Sequence, residues 1–249
     1  MVEDVPLPGG FVNPTVKRGD RVVRRCPARA EFVHSLLDFF EQMGWRGAPR
    51  FLGTEAPDRE ILSYVAGYVA WEPDRVAAVR SDAALVDLAR LVRQFHDLTA
   101  THPLRGAGEV VCHNDLSPKN TVYSGTGDAL RPIAFIDWDA AAPGRRIHDL
   151  AHVCWQYLEL GPSVDDVAEA GGRMRLICDA YGLRVRDELR YELLDTVLWW
   201  QSRCARGIET GAAAGEPGMR ELCLSGVPEV IRTAHRWVVD HRAALERAL

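Results

Sequence analysis

The sequence predicts an α+β protein: a small β-rich part holding one helix, followed by a larger, mostly helical part. Three observations predict it. Short β-prone runs separated by turn residues crowd the first 70 positions. One amphipathic stretch, Glu31–Gly44, interrupts them. From Asp149 onward, apolar residues recur at helical spacing only. The 249 residues are 47% hydrophobic and 26% charged, an ordinary globular composition that excludes a disordered or fibrous chain. At roughly 100–200 residues per domain, the length fits one large domain or two lobes.

Each element has a local reason. VPLPGGFVN holds a turn signal, Gly9-Gly10, between apolar pieces. In PTVKRGDRVVRRC, Gly19-Asp20 lies between two β-prone runs and predicts a hairpin. In Glu31–Gly44, Phe32, Leu36, Phe39, Phe40 and Met43 fall on one face, and Gly44 suits the stop. APRFLG and EILSYV read as strands joined by EAPDR, and Gly67–Pro73 reads as a linker. Ser81 or Asp82 caps a helix running to about Ala100, with Leu85, Leu88, Leu91, Val92 and Phe95 inward. VVCHNDL and IAFIDWD are two further strands flanking the turn material SGTGD. Helices follow at roughly 149–160, 164–181, 187–208 and 217–248, the last broken near Gly226-Val227-Pro228. The lobes are expected at 1–68 and 69–249.

Charge and composition exclude several functions. A net charge of −5 argues against a large basic footprint for nucleic acid. The longest near-apolar stretch, Ile61–Trp71, is interrupted by Ser63 and Gly67 and is shorter than the roughly 18 residues of a membrane span. The acidic start MVEDVPLPGG lacks the apolar core of a secretory signal. Six cysteines without a CxxC motif read as reduced, mostly buried thiols, so a cytoplasmic location is expected. Of 30 basic residues only Lys17 and Lys119 are lysine. That bias lowers the weight of any single arginine.

The chemistry concentrates in His113-Asn114-Asp115-Leu116-Ser117-Pro118-Lys119-Asn120 and in Ile136-Asp137-Trp138-Asp139. Apolar runs, VVC and IAFI, lead toward Asp115 and Asp137. A carboxylate at the end of a buried strand is costly unless a metal or strong donors meet it. Asn120 lies five residues past Asp115, so a loop can return its amide oxygen to the same point. Two carboxylates and an amide oxygen are hard donors that suit Mg²⁺, which shares its remaining positions with phosphates and water. Taken singly, these residues also fit turn caps.

These motifs resemble the aminoglycoside phosphotransferase and choline kinase family, relatives of the protein kinases. That family carries a catalytic loop H-x-D-x-x-x-x-N and a later I-D-x-x metal aspartate, matched by HNDLSPKN and IDWD. EILSYVAGYV, LARLVRQFHDLT and HDLAHVCW resemble its last N-lobe strand, the helix before the catalytic loop and the helix after the metal loop. The likeness covers roughly residues 9 to 155. It is nearest to a compact actinobacterial branch with GG-x-V-N near the start and PG-x-R-x-x-DLA after the metal loop, some of whose members carry a trifolitoxin immunity label.

The resemblance implies a two-lobed protein-kinase-like fold, with residues 1–68 as the nucleotide-binding lobe and 69–249 as the catalytic and substrate-binding lobe. It implies an ATP- and Mg²⁺-dependent phosphotransferase acting on a hydroxyl of a small molecule. Asp115 would orient that hydroxyl and accept its proton. Asn120 and Asp137 would hold Mg²⁺. His113 would brace the loop, Asp149 would hold its shape, and Asp139 would be an outer-shell acceptor. Lys119 would neutralise transferred charge. Gly9 and Gly10 would let the backbone approach the phosphates, and Tyr64 and Val65 would offer backbone groups to the nucleobase.

The chain departs from the family at the strand lysine that pairs the α/β-phosphates. RVVRRCP offers Arg24 there, or Arg25 if the register slips by one. Glu31 is the expected helix partner. Residues 155–200 hold nine acids and five arginines, so the acceptor is cationic if that stretch faces it; a solvated helix face is the plainer reading. Trp155, Trp199, Trp200 and Trp237 would line an aromatic pocket or belong to the core. The alternative function is a nucleotide-binding immunity or regulatory protein with little turnover, motivated by Arg24 and the short N-lobe.

Overall fold

The computed structural model describes residues 4–7, 15–71, 77, 79–184 and 188–249. Gly9 and Gly10 lie outside the described residues. The chain packs as two compact units, Met1–Arg146 and Ile147–Leu249.

The first unit opens with five strands: β1 (Asp4–Pro6), β2 (Val16–Arg18), β3 (Arg21–Arg25), β4 (Phe51–Ala56) and β5 (Arg59–Ser63). They form one antiparallel sheet in the order β1-β2-β3-β5-β4. The expected hairpin forms at Gly19-Asp20, where Gly19 adopts φ +65°. Helix α1 (Ala30–Gln42) buries Val33, Leu36, Leu37 and Phe40. The expected stripe was rotated: Met43 is exposed and Phe32 only half-buried. The set 33, 36, 37, 40 follows the i, i+3, i+4, i+7 pattern more closely and wins the buried face.

Helix α2 (Asp82–Thr99) starts where Ser81 Oγ accepts the Ala84 N–H (3.2 Å), and it buries all five expected apolar residues. Four short strands follow: β6 (Val110–Cys112), β7 (Thr121–Ser124), β8 (Arg131–Phe135) and β9 (Ala142–Gly144). Here the sequence expectation is incomplete. The strands of VVCHNDL and IAFIDWD belong to separate ladders, β6 with β9 and β7 with β8. Strand β9 reads APG, whose proline and glycine oppose strand propensity; pairing with the buried β6 overrides that preference.

The sheet and these strands are tied by specific bonds. Phe135 N–H donates to Gly47 O (2.8 Å), and Tyr68 and Tyr123 exchange two backbone hydrogen bonds (2.8 Å each). A Cβ at Gly67 would stand 2.4 Å from Val122 Cγ1 and 2.5 Å from Tyr123 O, so only glycine allows this approach. The packing units divide at Arg146, well past the lobe boundary expected at residue 68.

The second unit is helical: α3 (Arg146–Leu158, whose first residue closes the first unit), α4 (Val167–Tyr181), α5 (Glu188–Tyr191), α6 (Leu193–Ala213), α7 (Pro217–Leu224) and α8 (Val227–Ala248). Asp166 caps α4 by accepting from Ala168 N and Glu169 N (2.8 and 3.0 Å). The expected break falls at Gly226, in the left-handed region at φ +80°. No helix among the described residues is long and apolar enough to cross a membrane. All six cysteines are free; Cys112, Cys154 and Cys178 are buried and Cys26, Cys204 and Cys223 half-buried. Burial pushes the Cys178 thiol up to about 12 and raises Cys154 as well.

Candidate active site

The loop after β6 is shaped by its own residues. Asn114 turns the chain with φ +64°, a region that asparagine enters more readily than most side chains. Its Nδ2 donates to Ala140 O (3.0 Å), which pins the turn to the second loop. His113 is fully buried; its Nε2 donates to Ile136 O (3.0 Å) and its Nδ1 accepts from Asp115 N (3.3 Å). That pair of bonds requires the neutral Nε2–H tautomer, so His113 acts as a brace.

Asn120 returns to Asp115 as the spacing predicted. Its Nδ2 donates to Asp115 O (2.9 Å) and to Asp115 Oδ2 (2.8 Å). Its own carbonyl accepts from Ile136 N (2.9 Å), which binds the first loop to the second. With Nδ2 committed, Oδ1 is the amide atom left to ligate a cation.

The second loop is anchored by Trp138. Asp137 sits at φ +64°. Between Asp137 and Asp139, the Trp138 ring is buried among His113 (4.5 Å between ring centres), Phe40 (5.1 Å) and Phe95 (5.2 Å). Its Nε1 donates to Phe135 O (3.0 Å). Burying the middle residue leaves both flanking carboxylates partly exposed.

Arg24 joins this loop to the sheet. It is buried, whereas Arg25 is exposed, so the register with Arg24 inward holds. Its Nε donates to Glu60 Oε1 (2.6 Å), one terminal nitrogen to Asp137 Oδ1 (2.8 Å), and the other to Asp139. Burial opposes the charge of Arg24, but Asp139, Asp137 and Glu60 outweigh it and hold the guanidinium protonated. Burial also lifts the Asp139 carboxyl to about 6, against the pull of Arg24 and with the push of Asp137.

The structure does not bring Glu31 to Arg24. Glu31 is exposed at the start of α1, and the sheet partner of Arg24 is Glu60, fully buried and directly opposite it across β3 and β5. Behind Glu60 stands His34, with Nε2 2.6 Å from Oε2. A buried carboxylate needs such partners. Glu60 and Leu62 alternate inward on β5, so pairing EILSYV with RVVRR in register is the signal that identifies Glu60 from sequence.

Of the other expected residues, Lys119 is exposed in the Asp115 loop and Val65 is half-buried. Tyr64 donates its backbone N–H to Asp20 O (2.8 Å), so that group is already engaged. Asp149 is fully buried in the first turn of α3, in the second unit.

Within the second unit Trp199 and Trp200 meet edge-on (4.7 Å between ring centres), and His152 links Trp200 (5.1 Å) to Trp155 (5.6 Å). Trp155 and Trp200 are core residues, Trp237 stacks on His241, and Trp199 stacks on His148 beneath the guanidinium of Arg203. Part of the acidic stretch is matched internally: Asp179 pairs with Arg190 (2.8 Å) and Asp195 with Arg242. A cavity of about 260 Å³ is lined by Gln201, Arg206, Arg232, His235 and Arg236, with Arg232 paired to Glu209 (2.5 Å) and Arg236 to Glu229 (2.9 Å).

Residues 4–109 and 100–189 match the model of a family described as a phosphotransferase enzyme family. A trifolitoxin immunity protein of Rhizobium leguminosarum bv. trifolii is 29% identical over 276 residues, covering 100% of both chains. Among solved structures, an aminoglycoside phosphotransferase from Streptomyces rimosus aligns with a TM-score of 0.52 and 21% identity, over 79% of this chain and 92% of its own. A choline/ethanolamine kinase family protein from Mesorhizobium loti aligns with a TM-score of 0.65 and 14% identity, over 98% and 92%. Likeness at these identities establishes the kinase-like, two-lobed α+β fold.

Proposed function

This chain belongs to the phosphotransferase enzyme family, and we propose that it moves the γ-phosphoryl group of ATP to a hydroxyl of a small molecule. The observation that carries the reading is the lacing of Asp115, Asn120 and Asp137 through Asn120 Nδ2, Ile136 N and Arg24. A turn-capping role explains each residue singly. It does not explain why two strand ends deliver three oxygen donors and a buried arginine to one loop pair.

In this reading a bond forms between the acceptor oxygen and the γ-phosphorus, and the bond to the β,γ-bridging oxygen breaks. Products are ADP and a phosphate monoester. Asp115 orients the hydroxyl and takes its proton, while Asn120 Nδ2 and His113 keep the carboxylate in place. Phosphoryl transfer is loose in character, so positioning and charge neutralisation count for more than base strength. Arg24 grips phosphate oxygens with a planar fork in place of an ammonium. Asn120 Oδ1 and the Asp137 carboxylate are the hard oxygen set that would hold Mg²⁺, which supplies charge neutralisation at the phosphates when bound. Lys119 reaches the transferred group from the same loop.

Arg24→Ala should weaken ATP binding by about 10–100-fold, the worth of a lost charge-assisted hydrogen bond. Arg25→Ala should change it little, because Arg25 points to solvent. Calorimetric titration of both variants, with Arg24→Lys as a charge-conserving control, checks the order. The reverse order would remove Arg24 from the phosphate site.

A second reading is favoured by the three carboxylates already engaging Arg24 and by the immunity protein that matches along its whole length. It is a nucleotide-binding protein with little turnover. ADP release measured across aminoglycosides, macrolides, choline-like amines and nucleosides separates the two. The first reading expects one class to raise release above the rate with ATP alone. Mg²⁺-dependent ATP binding with no product across the panel supports the second.

A further inference from the structure

A separate cluster lies on the α1 side of the sheet. Ligand atoms of Cys26, His34 and Glu60 all fall within 4.8 Å of one another. Each is held by a different structural device. Cys26 follows β3 directly and donates its backbone N–H to Asp58 O (2.8 Å), which keeps it beside the start of β5. The His34 ring stacks on Phe51 at 3.7 Å and 13°, which fixes its plane. Glu60 is anchored through Oε1 by Arg24, and its other oxygen, Oε2, faces His34 Nε2 at 2.6 Å.

We infer that Cys26, His34 and Glu60 form a binding site for a thiophilic divalent cation of the Zn²⁺ class. A tetrahedral zinc with bonds of about 2.0–2.3 Å holds its ligand atoms roughly 3.3–3.8 Å apart. Closing from the observed spacing takes about 1 Å of movement, within reach of rotation about the Cys26 side chain and a small opening of the His34–Glu60 pair. One sulfur, one imidazole nitrogen and one carboxylate oxygen suit zinc, whereas the all-oxygen set at Asn120 and Asp137 suits Mg²⁺. The thiol proton leaves to solvent as the sulfur–metal bond forms, and His34 binds as the neutral Nδ1–H tautomer.

The two oxygens of Glu60 have separate partners. Arg24 bonds Oε1, so Oε2 can turn to a cation without stranding the guanidinium.

Titration of the full chain with Co²⁺ tests the site. The expected result is a near-ultraviolet thiolate-to-cobalt charge-transfer band that saturates at one equivalent. Cys26→Ser should abolish that band and weaken binding on the order of tenfold or more. Cys223→Ser should leave both unchanged. A band that survives Cys26→Ser, or a folded wild-type chain with no band at saturating Co²⁺, overturns the assignment. If Cys26→Ser fails to fold, His34→Gln decides, since glutamine can still donate to Glu60. Wild-type cobalt affinity in folded His34→Gln would equally reject the site.

Discussion

Asp115→Asn should lower turnover by about 10²–10⁴-fold, the usual share of a positioned general base, while nucleotide binding persists. The expectation rests on a substitution that changes little else. Asparagine keeps an oxygen to accept from Asn120 Nδ2, which stands 2.8 Å from Asp115 Oδ2. The loop is further held by His113 and by the Ile136–Asn120 bond, neither of which depends on the residue 115 carboxylate. Only the proton acceptor is removed. The measurement is kcat with the acceptor found by ADP release, alongside ATP affinity by calorimetry. Undiminished kcat would overturn the base role, and loss of ATP binding would show that Asp115 shapes the nucleotide site instead.

Trp138→Ala should cost about 3–5 kcal/mol of stability, the range for deleting a large buried aromatic. For a chain of this size that corresponds to a fall in Tm on the order of 10 °C. Trp138 is 2% exposed and packs against Phe40 from α1, Phe95 from α2 and His113 from the loop after β6. No neighbouring side chain can fill that volume without leaving its own contacts. Trp138→Phe keeps most of the ring and loses the bond from Nε1 to Phe135 O, so its cost should be the smaller. Thermal melting of the two variants checks both. A drop in Trp138→Ala no larger than that of Trp138→Phe would show that the ring is not the anchor of the 137–139 loop. Because the ring sets the directions of Asp137 and Asp139, activity should fall further in Trp138→Ala than stability alone requires.

Much of this was legible in residue order because the causes are local. Hydrophobic spacing marked α2 and its five inward residues. Glycine and a polar neighbour marked the Gly19-Asp20 hairpin. The five-residue step from Asp115 to Asn120 marked a loop returning on itself, and a hydrogen bond between those side chains closes it. Strands β7 and β9 were not legible, since three or four residues carry too little pattern and β9 contains proline.

The residues alone thus determined the α+β plan, the order of its elements and the chemical identity of the three oxygen donors. Tertiary structure decided who meets whom. It seated Glu60 rather than Glu31 against Arg24, because a buried guanidinium takes the carboxylate opposite it across the sheet over one on an exposed helix turn. It also made Trp138 the pivot of the 137–139 loop and placed His34 and Cys26 beside Glu60. Those pairings join residues far apart along the chain, and the bonds that decide them exist only once the strands are in register.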